Sequence, residues 1–182
     1  MTAVPDRTRL RTVAGALAAA GLLALAPAAP ADADVTVPGS DDIPRAIVAL
    51  DARKCLEVAD WRTDDGAPVR LLTCTGGANQ QWTSGPGSTI VNVHSGKCLE
   101  VPGFSTAGGT RIDQWTCNGG SNQGWFDSNQ GPGHPHVYAN VNSGLRLDLY
   151  GGSPEDGTPV IQWPLNGSGN QAWYTDVAPA AR

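Results

Sequence analysis

Asn79-Gln80-Gln81-Trp82, Asn122-Gln123-Gly124-Trp125 and Asn170-Gln171-Ala172-Trp173 are three copies of one signature, Asn-Gln-x-Trp. Each copy closes a longer block without a gap. The blocks run from Cys55 to Trp82, from Cys98 to Trp125 and from Arg146 to Trp173, and in all three the first and last residues are 27 apart. A period of this size, repeated three times, marks one supersecondary unit copied in tandem.

Working outward, each unit reads as four short strands. The first carries Ile47 and Leu50, Ile90 and Val93, or Tyr138 and Val141. The second is Cys-Leu-Glu-Val at 55–58 and again at 98–101, matched by Arg-Leu-Asp-Leu at 146–149. A turn follows with glycine at the same place, Gly66, Gly109 and Gly157, preceded in two copies by Asp65 and Asp156, the residue chemistry of a tight hairpin. The third strand starts with Val69, Ile112 or Val160, and the fourth begins at the signature. The expected fold class is therefore all-β, with about twelve strands and almost no helix. The connectors differ: Trp82 to Cys98 spans 16, whereas Trp125 to Arg146 spans 21, the excess falling in the turn-rich Gln130-Gly131-Pro132-Gly133-His134-Pro135.

The N-terminus has another character. Arg7, Arg9 and Arg11 precede an apolar run from Val13 to Ala26, and Ala31-Asp32-Ala33 offers a small-x-small cleavage site. This is the pattern of a secretory signal over 1–33, too short and wrongly flanked for a membrane span. The expected organisation is a signal peptide (1–33), a linker (34–44), the repeated domain (45–176, units about 45–85, 86–130 and 131–176) and a tail (177–182), in a secreted, extracellular, monomeric protein. The whole chain carries −5, and loss of three arginines and two aspartates with the signal leaves −6. An acidic surface repels phosphate backbones and anionic lipid, so nucleic acid and membrane partners are not expected.

Four cysteines in an exported chain argue for disulfides and permit three connectivities. The repeat selects among them. Cys55 and Cys74, like Cys98 and Cys117, are 19 apart at equivalent places, and the third unit has Arg146 and Leu165 there instead. One bridge within each of the first two units accounts for both pairs and for their joint absence from the third. No Cys-x-x-Cys spacing supports a zinc site, so no metal is expected.

The three in-register blocks resemble the lobes of ricin-B-type lectin domains. The Gln-x-Trp triplets, the Cys-Leu-acid-Val segment and the Gly109-Thr110 and Gly157-Thr158 turns carry the likeness, which covers about residues 45–175 and is nearest to small secreted actinobacterial modules. The resemblance implies a β-trefoil of three four-stranded lobes with pseudo-threefold symmetry. It also implies carbohydrate recognition, with galactose- or xylose-containing glycans or polysaccharides as partners and no cofactor. Trp82, Trp125 and Trp173 are read as core residues that define the fold, since one large apolar side chain per lobe can anchor a threefold centre.

Sugar recognition needs other groups. An aromatic plane covers the apolar face of a pyranose, while a carboxylate and amides bond its hydroxyls. Carried over from the family, the third lobe offers Asp148, Trp163, Asn170 and Gln171, flanked by Asn166. The second offers Glu100, Trp115, Asn122 and Gln123, flanked by Asn118, with glutamate for aspartate as a departure. The first has Glu57, Leu72, Asn79 and Gln80, and Leu72 has no flat face, so that lobe is expected to be silent. Trp61, with Phe104 at the same place in the second lobe, is the remaining substitute platform there.

Catalysis is not expected. One acid per lobe is spread round a threefold axis, whereas a glycosidase pair stands about 5–9.5 Å apart. No hydrolase or phosphate-loop motif is present, and His94, His134 and His136 lack an ordered set of partners, His134 and His136 reading as loop residues of the turn-rich insertion. The rival function is a protein-binding trefoil such as a protease inhibitor or interaction module, which would not require the acid, aromatic and amide set.

Overall fold

The computed structural model describes residues 43–128 and 134–177. The expected signal peptide, nearly all of the linker, most of the insertion (130–133) and residues 178–182 lie outside them. Twelve strands occur in the order β1 (Arg45–Ala49), β2 (Cys55–Val58), β3 (Ala67–Leu72), β4 (Gln81–Gly85), β5 (Thr89–Asn92), β6 (Cys98–Glu100), β7 (Asp113–Trp115), β8 (Trp125–Asp127), β9 (Tyr138–Asn140), β10 (Arg146–Leu149), β11 (Val160–Trp163) and β12 (Trp173–Val177). Among the described residues there is no α-helix, only 3-10 turns of three residues.

The first and fourth strands of each unit close a six-stranded barrel. β1 pairs with β4 and β12, β4 with β5, and β8 with β9. The bridges Thr89 to Gly124 and His136 to Trp173 complete the ring. The second and third strands form hairpins β2–β3, β6–β7 and β10–β11. These meet in a triangle through β3–β7 and the bridges Arg70 to Pro159 and Arg111 to Ile161. A barrel capped by three hairpins is a β-trefoil.

The three signature tryptophans fill its centre, 2 %, 2 % and 0 % exposed. Each indole N–H donates to the carbonyl of the second-strand leucine of its own lobe, Leu56, Leu99 or Leu147, at 3.0–3.2 Å, so the ring is buried without an orphaned donor. Ile47, Ile90 and Tyr138 join the core, whereas Val93 and Val141 fall just past their strands and are exposed. Their backbone N–H groups bond Gln81 O and Gly124 O, which ends the alternation expected there. The Asn-Gln pairs precede the fourth strands, in the 3-10 turns Ala78–Gln80, Ser121–Gln123 and Gly169–Gln171.

Both expected disulfides, Cys55–Cys74 and Cys98–Cys117, are formed, each with Cα atoms 5.1 Å apart. Gly66, Gly109 and Gly157 all have φ between 79° and 86°, a left-handed conformation that disfavours any side chain. Asp65 and Asp156 do more than shape their turns. Asp65 accepts from the Thr116 N–H at 2.8 Å and pairs with Lys97, and Asp156 does the same with Thr73 and Lys54. Each clamps one lobe to the next. At the third junction the equivalents are Gly108, Pro164 and Leu145, and proline has no N–H to give.

Two histidines have ordered partners where none was expected. His136 Nδ1 lies 2.6 Å from Asp127 Oδ2, its Nε2 lies 3.0 Å from Thr175 Oγ1, and its ring stacks on Tyr138. The backbone bridge to Trp173 builds it into the barrel rim, a pairing that a turn-rich composition conceals. His94 contacts the Trp61 carbonyl at 3.1 Å and packs edge-on against its ring.

Candidate carbohydrate site

Each lobe presents the same scaffold. The acid sits on the second strand, the aromatic position ends the third, and the signature amides arrive from the 3-10 turn. In every lobe the signature glutamine donates Nε2 to the acid: Gln80 to Glu57 at 2.9 Å, Gln123 to Glu100 at 2.6 Å and Gln171 to Asp148 at 2.7 Å. Its carbonyl accepts a backbone N–H, from Thr75, Asn118 or Asn166. Gln123 and Gln171 are thus buried behind their carboxylates, as positioning groups whose polar atoms are already engaged.

What faces the acid across the hairpin differs in each lobe. Glu57 stands in register with Arg70, Glu100 with Asp113 and Asp148 with Ile161. Arg70 donates Nη2 and Nε to Glu57 Oε1 at 3.0 and 3.2 Å and reaches Asp60 as well, so the first carboxylate is neutralised. In the second lobe two acids meet, a partner that the tally of one acid per lobe leaves out. Burial, with the Glu100 charge next, pushes the Asp113 carboxyl up to about 7, and its buried Oδ1 has no hydrogen-bond partner. Burial also raises Glu100, against the opposing Gln123 bond. In the third lobe Asp148 meets no charge. Burial raises its carboxyl, while the amides of Gln171 and Asn170 oppose the shift.

The turn after the second strand sets how open each lobe is. Its third residue is Trp61 in the first lobe, Phe104 in the second and Gly152 in the third. The two aromatics hold left-handed backbones, φ 55° and 54°, and lie over Gly77 and Gly120. A Cβ on those glycines would come within 2.8 Å of the Trp61 ring and 3.1 Å of the Phe104 ring. In the third lobe the covering ring is absent and Ser168 takes the glycine's place.

There a cavity of about 490 Å³ opens, lined by Asp148, Tyr150, Ile161, Trp163, Asn166 and Asn170, with Gly151 and Gly152 at its edge. Asp148 is only 2 % exposed, whereas Trp163 is 44 % exposed and packs against Gly108 of the neighbouring lobe. Asn170 donates Nδ2 to Asp148 Oδ1 at 2.9 Å. Asn79 and Asn122 donate Nδ2 to the carbonyls of Val58 and Val101, and each Oδ1 is buried without a partner. The structure thus brings Asp148, Trp163, Asn166 and Asn170 to one cavity, with Gln171 directly behind. In the second lobe Trp115 is 40 % exposed and Asn118 is at the surface, while Glu100, Asn122 and Gln123 are buried.

Tyr150, Gly152 and Ile161 escape motif reading because none belongs to the acid, aromatic and amide set. Setting the three turns in register would have found them. A larger hollow of about 940 Å³ lies among the ends of the barrel strands, with Arg45, Thr89, Asp127, Tyr138 and Thr175 in its wall. It contains none of the three acid, aromatic and amide sets.

A model of the family described as ricin-type beta-trefoil lectin domain-like matches residues 78–163 and 136–181. The chain belongs to this family. Among solved structures it is similar to the designed threefold-symmetric protein ThreeFoil, at 36% identity over 72% of this chain and 96% of that one, with a TM-score of 0.69. It is also similar to an exo-beta-1,3-galactanase from Clostridium thermocellum, at 33% identity, covering 77% of this chain and 31% of the enzyme, TM-score 0.70. A third likeness is to a non-toxic homologue of type II RIPs from Momordica charantia (bitter gourd), in complex with alpha-methyl-D-galactoside, at 27% identity over 74% of this chain and 47% of that one, TM-score 0.62. The chain spans nearly all of the first protein and from about a third to a half of the other two. As a ricin-type lectin-like domain, it belongs with carbohydrate-binding modules.

Proposed function

We propose that this ricin-type domain is a secreted, non-catalytic carbohydrate-binding module that holds galactose- or xylose-containing glycans in its third lobe. The observation that carries this reading is the open cavity with Asp148 at its floor, uncharged opposite and braced by Gln171 and Asn170, beside the exposed face of Trp163. A carboxylate fixed by two amides keeps its remaining lone pairs for sugar hydroxyls, and a bare indole face accepts the apolar side of the ring. Asn166 and Asn170 border the same rim. The galactoside complex of the bitter gourd protein supports a galactose-type ligand.

The second lobe is a weaker copy, with Trp115 in place but Glu100 set against Asp113. The first is silent, its acid held by Arg70 and its platform replaced by Leu72. A single shallow site of this kind binds in the range of about millimolar to tens of micromolar, roughly −4 to −6 kcal/mol. A glycan array with wild type and Asp148→Ala side by side tests the reading. Signals on galactose- or xylose-terminated glycans that vanish in the variant are expected, and equal signals from both proteins would overturn it.

A further inference from the structure

We infer that the third lobe recognises a disaccharide rather than one sugar, with Tyr150 forming a second aromatic wall for the unit next to the one on Trp163. The inference rests on the proposed third-lobe site and extends it to a subsite that the acid, aromatic and amide set does not provide.

The turn after the second strand carries one aromatic residue in every lobe, but its place changes. Ala59-Asp60-Trp61 and Pro102-Gly103-Phe104 have it third, whereas Tyr150-Gly151-Gly152 has it first. In the third position the ring folds back over the signature turn, at Gly77 or Gly120, and fills that space. In the first position Tyr150 lines the cavity and remains 58 % exposed. Its backbone is pinned rather than loose: its N–H donates to the Pro159 carbonyl at 3.1 Å, and its carbonyl accepts from the Ser153 N–H at 3.3 Å. The two glycines that follow, φ 63° and 64°, carry no side chain into the opening, so the backbone itself forms the edge between Tyr150 and Asn170.

Size points the same way. A cavity of about 490 Å³ lies within the range of roughly 300–1,000 Å³ that holds drug-sized ligands, and a single pyranose leaves much of it unfilled. Two exposed rings in one cavity offer an apolar face to each of two linked sugars, while the one buried carboxylate serves only the first.

The test is calorimetric titration of the full-length mature protein with matched probes: methyl β-D-galactopyranoside against lactose, and methyl β-D-xylopyranoside against xylobiose. For the wild type, the disaccharide of the recognised pair should bind about tenfold more tightly than its methyl glycoside, the scale of one added ring contact. Tyr150→Ala should weaken the disaccharide about tenfold more than the methyl glycoside and so remove that advantage, whereas Tyr150→Phe should keep it. Trp163→Ala should lose both ligands. If Tyr150→Ala weakened neither ligand, or weakened both alike, the second subsite would be refuted while the third-lobe site stood. A wild type that bound none of the four probes would overturn the site and the subsite together.

Discussion

Arg70 Nη2 lies 3.0 Å from Glu57 Oε1, directly across the first hairpin, and this contact separates the first lobe from the third. Glu57 is buried, so removing its cation leaves a carboxylate with only Gln80 to offset lost hydration. Arg70→Ala is expected to destabilise the domain by about 2–3 kcal/mol, toward the low end for a broken buried pair because Arg70 keeps some contact with water. Urea unfolding at pH 7 measures this. Glycan binding should be unchanged, because Leu72 still offers no ring face.

Gly152 keeps the third lobe open, and the other lobes show how to close it. Phe104 already occupies the equivalent place with a left-handed backbone, provided that Gly120 lies beneath its ring. The pair Gly152→Phe with Ser168→Gly should therefore fold, with stability within about 1 kcal/mol of wild type since it copies an arrangement the fold already carries. Binding to an immobilised lactose or xylan column should fall to the level of Asp148→Ala. Retained binding would show that the cavity is not the site.

Asp113 gives the domain a pH dependence. Its folded carboxyl is raised to about 7, against about 3.9 in an unfolded chain. Between those values the folded state keeps a proton that the unfolded state has lost. Stability from this group therefore falls as pH rises from about 4 to 7 and is level above. Asp113→Asn removes the charge at constant shape. It should raise Tm at pH 8 by about 2–4 °C, roughly 1 kcal/mol in a domain of this size, with a smaller gain at pH 5. Thermal unfolding at the two pH values checks both the sign and the window.

The disulfides lie away from the third lobe's cavity. Replacing Cys98 and Cys117 together by alanine should cost about 3 kcal/mol, the loop-closure entropy of a bridge spanning 19 residues. The folded fraction should bind glycan as wild type does. Denaturant unfolding beside a titration separates the two effects.

The period, the strand count and both bridges were legible in the sequence because each is a matter of spacing along one chain. So was the structural role of Trp82, Trp125 and Trp173, since three equivalent large rings call for a common centre. The identity of each acid's cross-strand neighbour was not. Arg70, Asp113 and Ile161 acquire meaning only once the hairpin register sets them opposite Glu57, Glu100 and Asp148, and one residue of slip would turn each to the other face. The exchange of Trp61 and Phe104 for Gly152 stood in the aligned blocks, but its consequence depends on a turn geometry that composition does not specify. His136 was hidden for a similar reason. A turn-rich neighbourhood reads as loop, while its pairing with Trp173 and its contact with Asp127 are long-range. The junction residues Gly108, Pro164 and Leu145, which replace an aspartate, a threonine and a lysine together, likewise make sense only as neighbours in space.

The most direct test of the central claim is an amide and indole NMR titration of the protein with lactose and with xylobiose. If the third lobe holds the sugar, the Trp163 indole and the Asn166 and Asn170 side-chain amides shift with one saturation curve, while the buried indoles of Trp82, Trp125 and Trp173 and the resonances around Arg70 stay in place. Shifts centred on the first lobe or on the barrel rim near His136, with Trp163 unmoved, would contradict it.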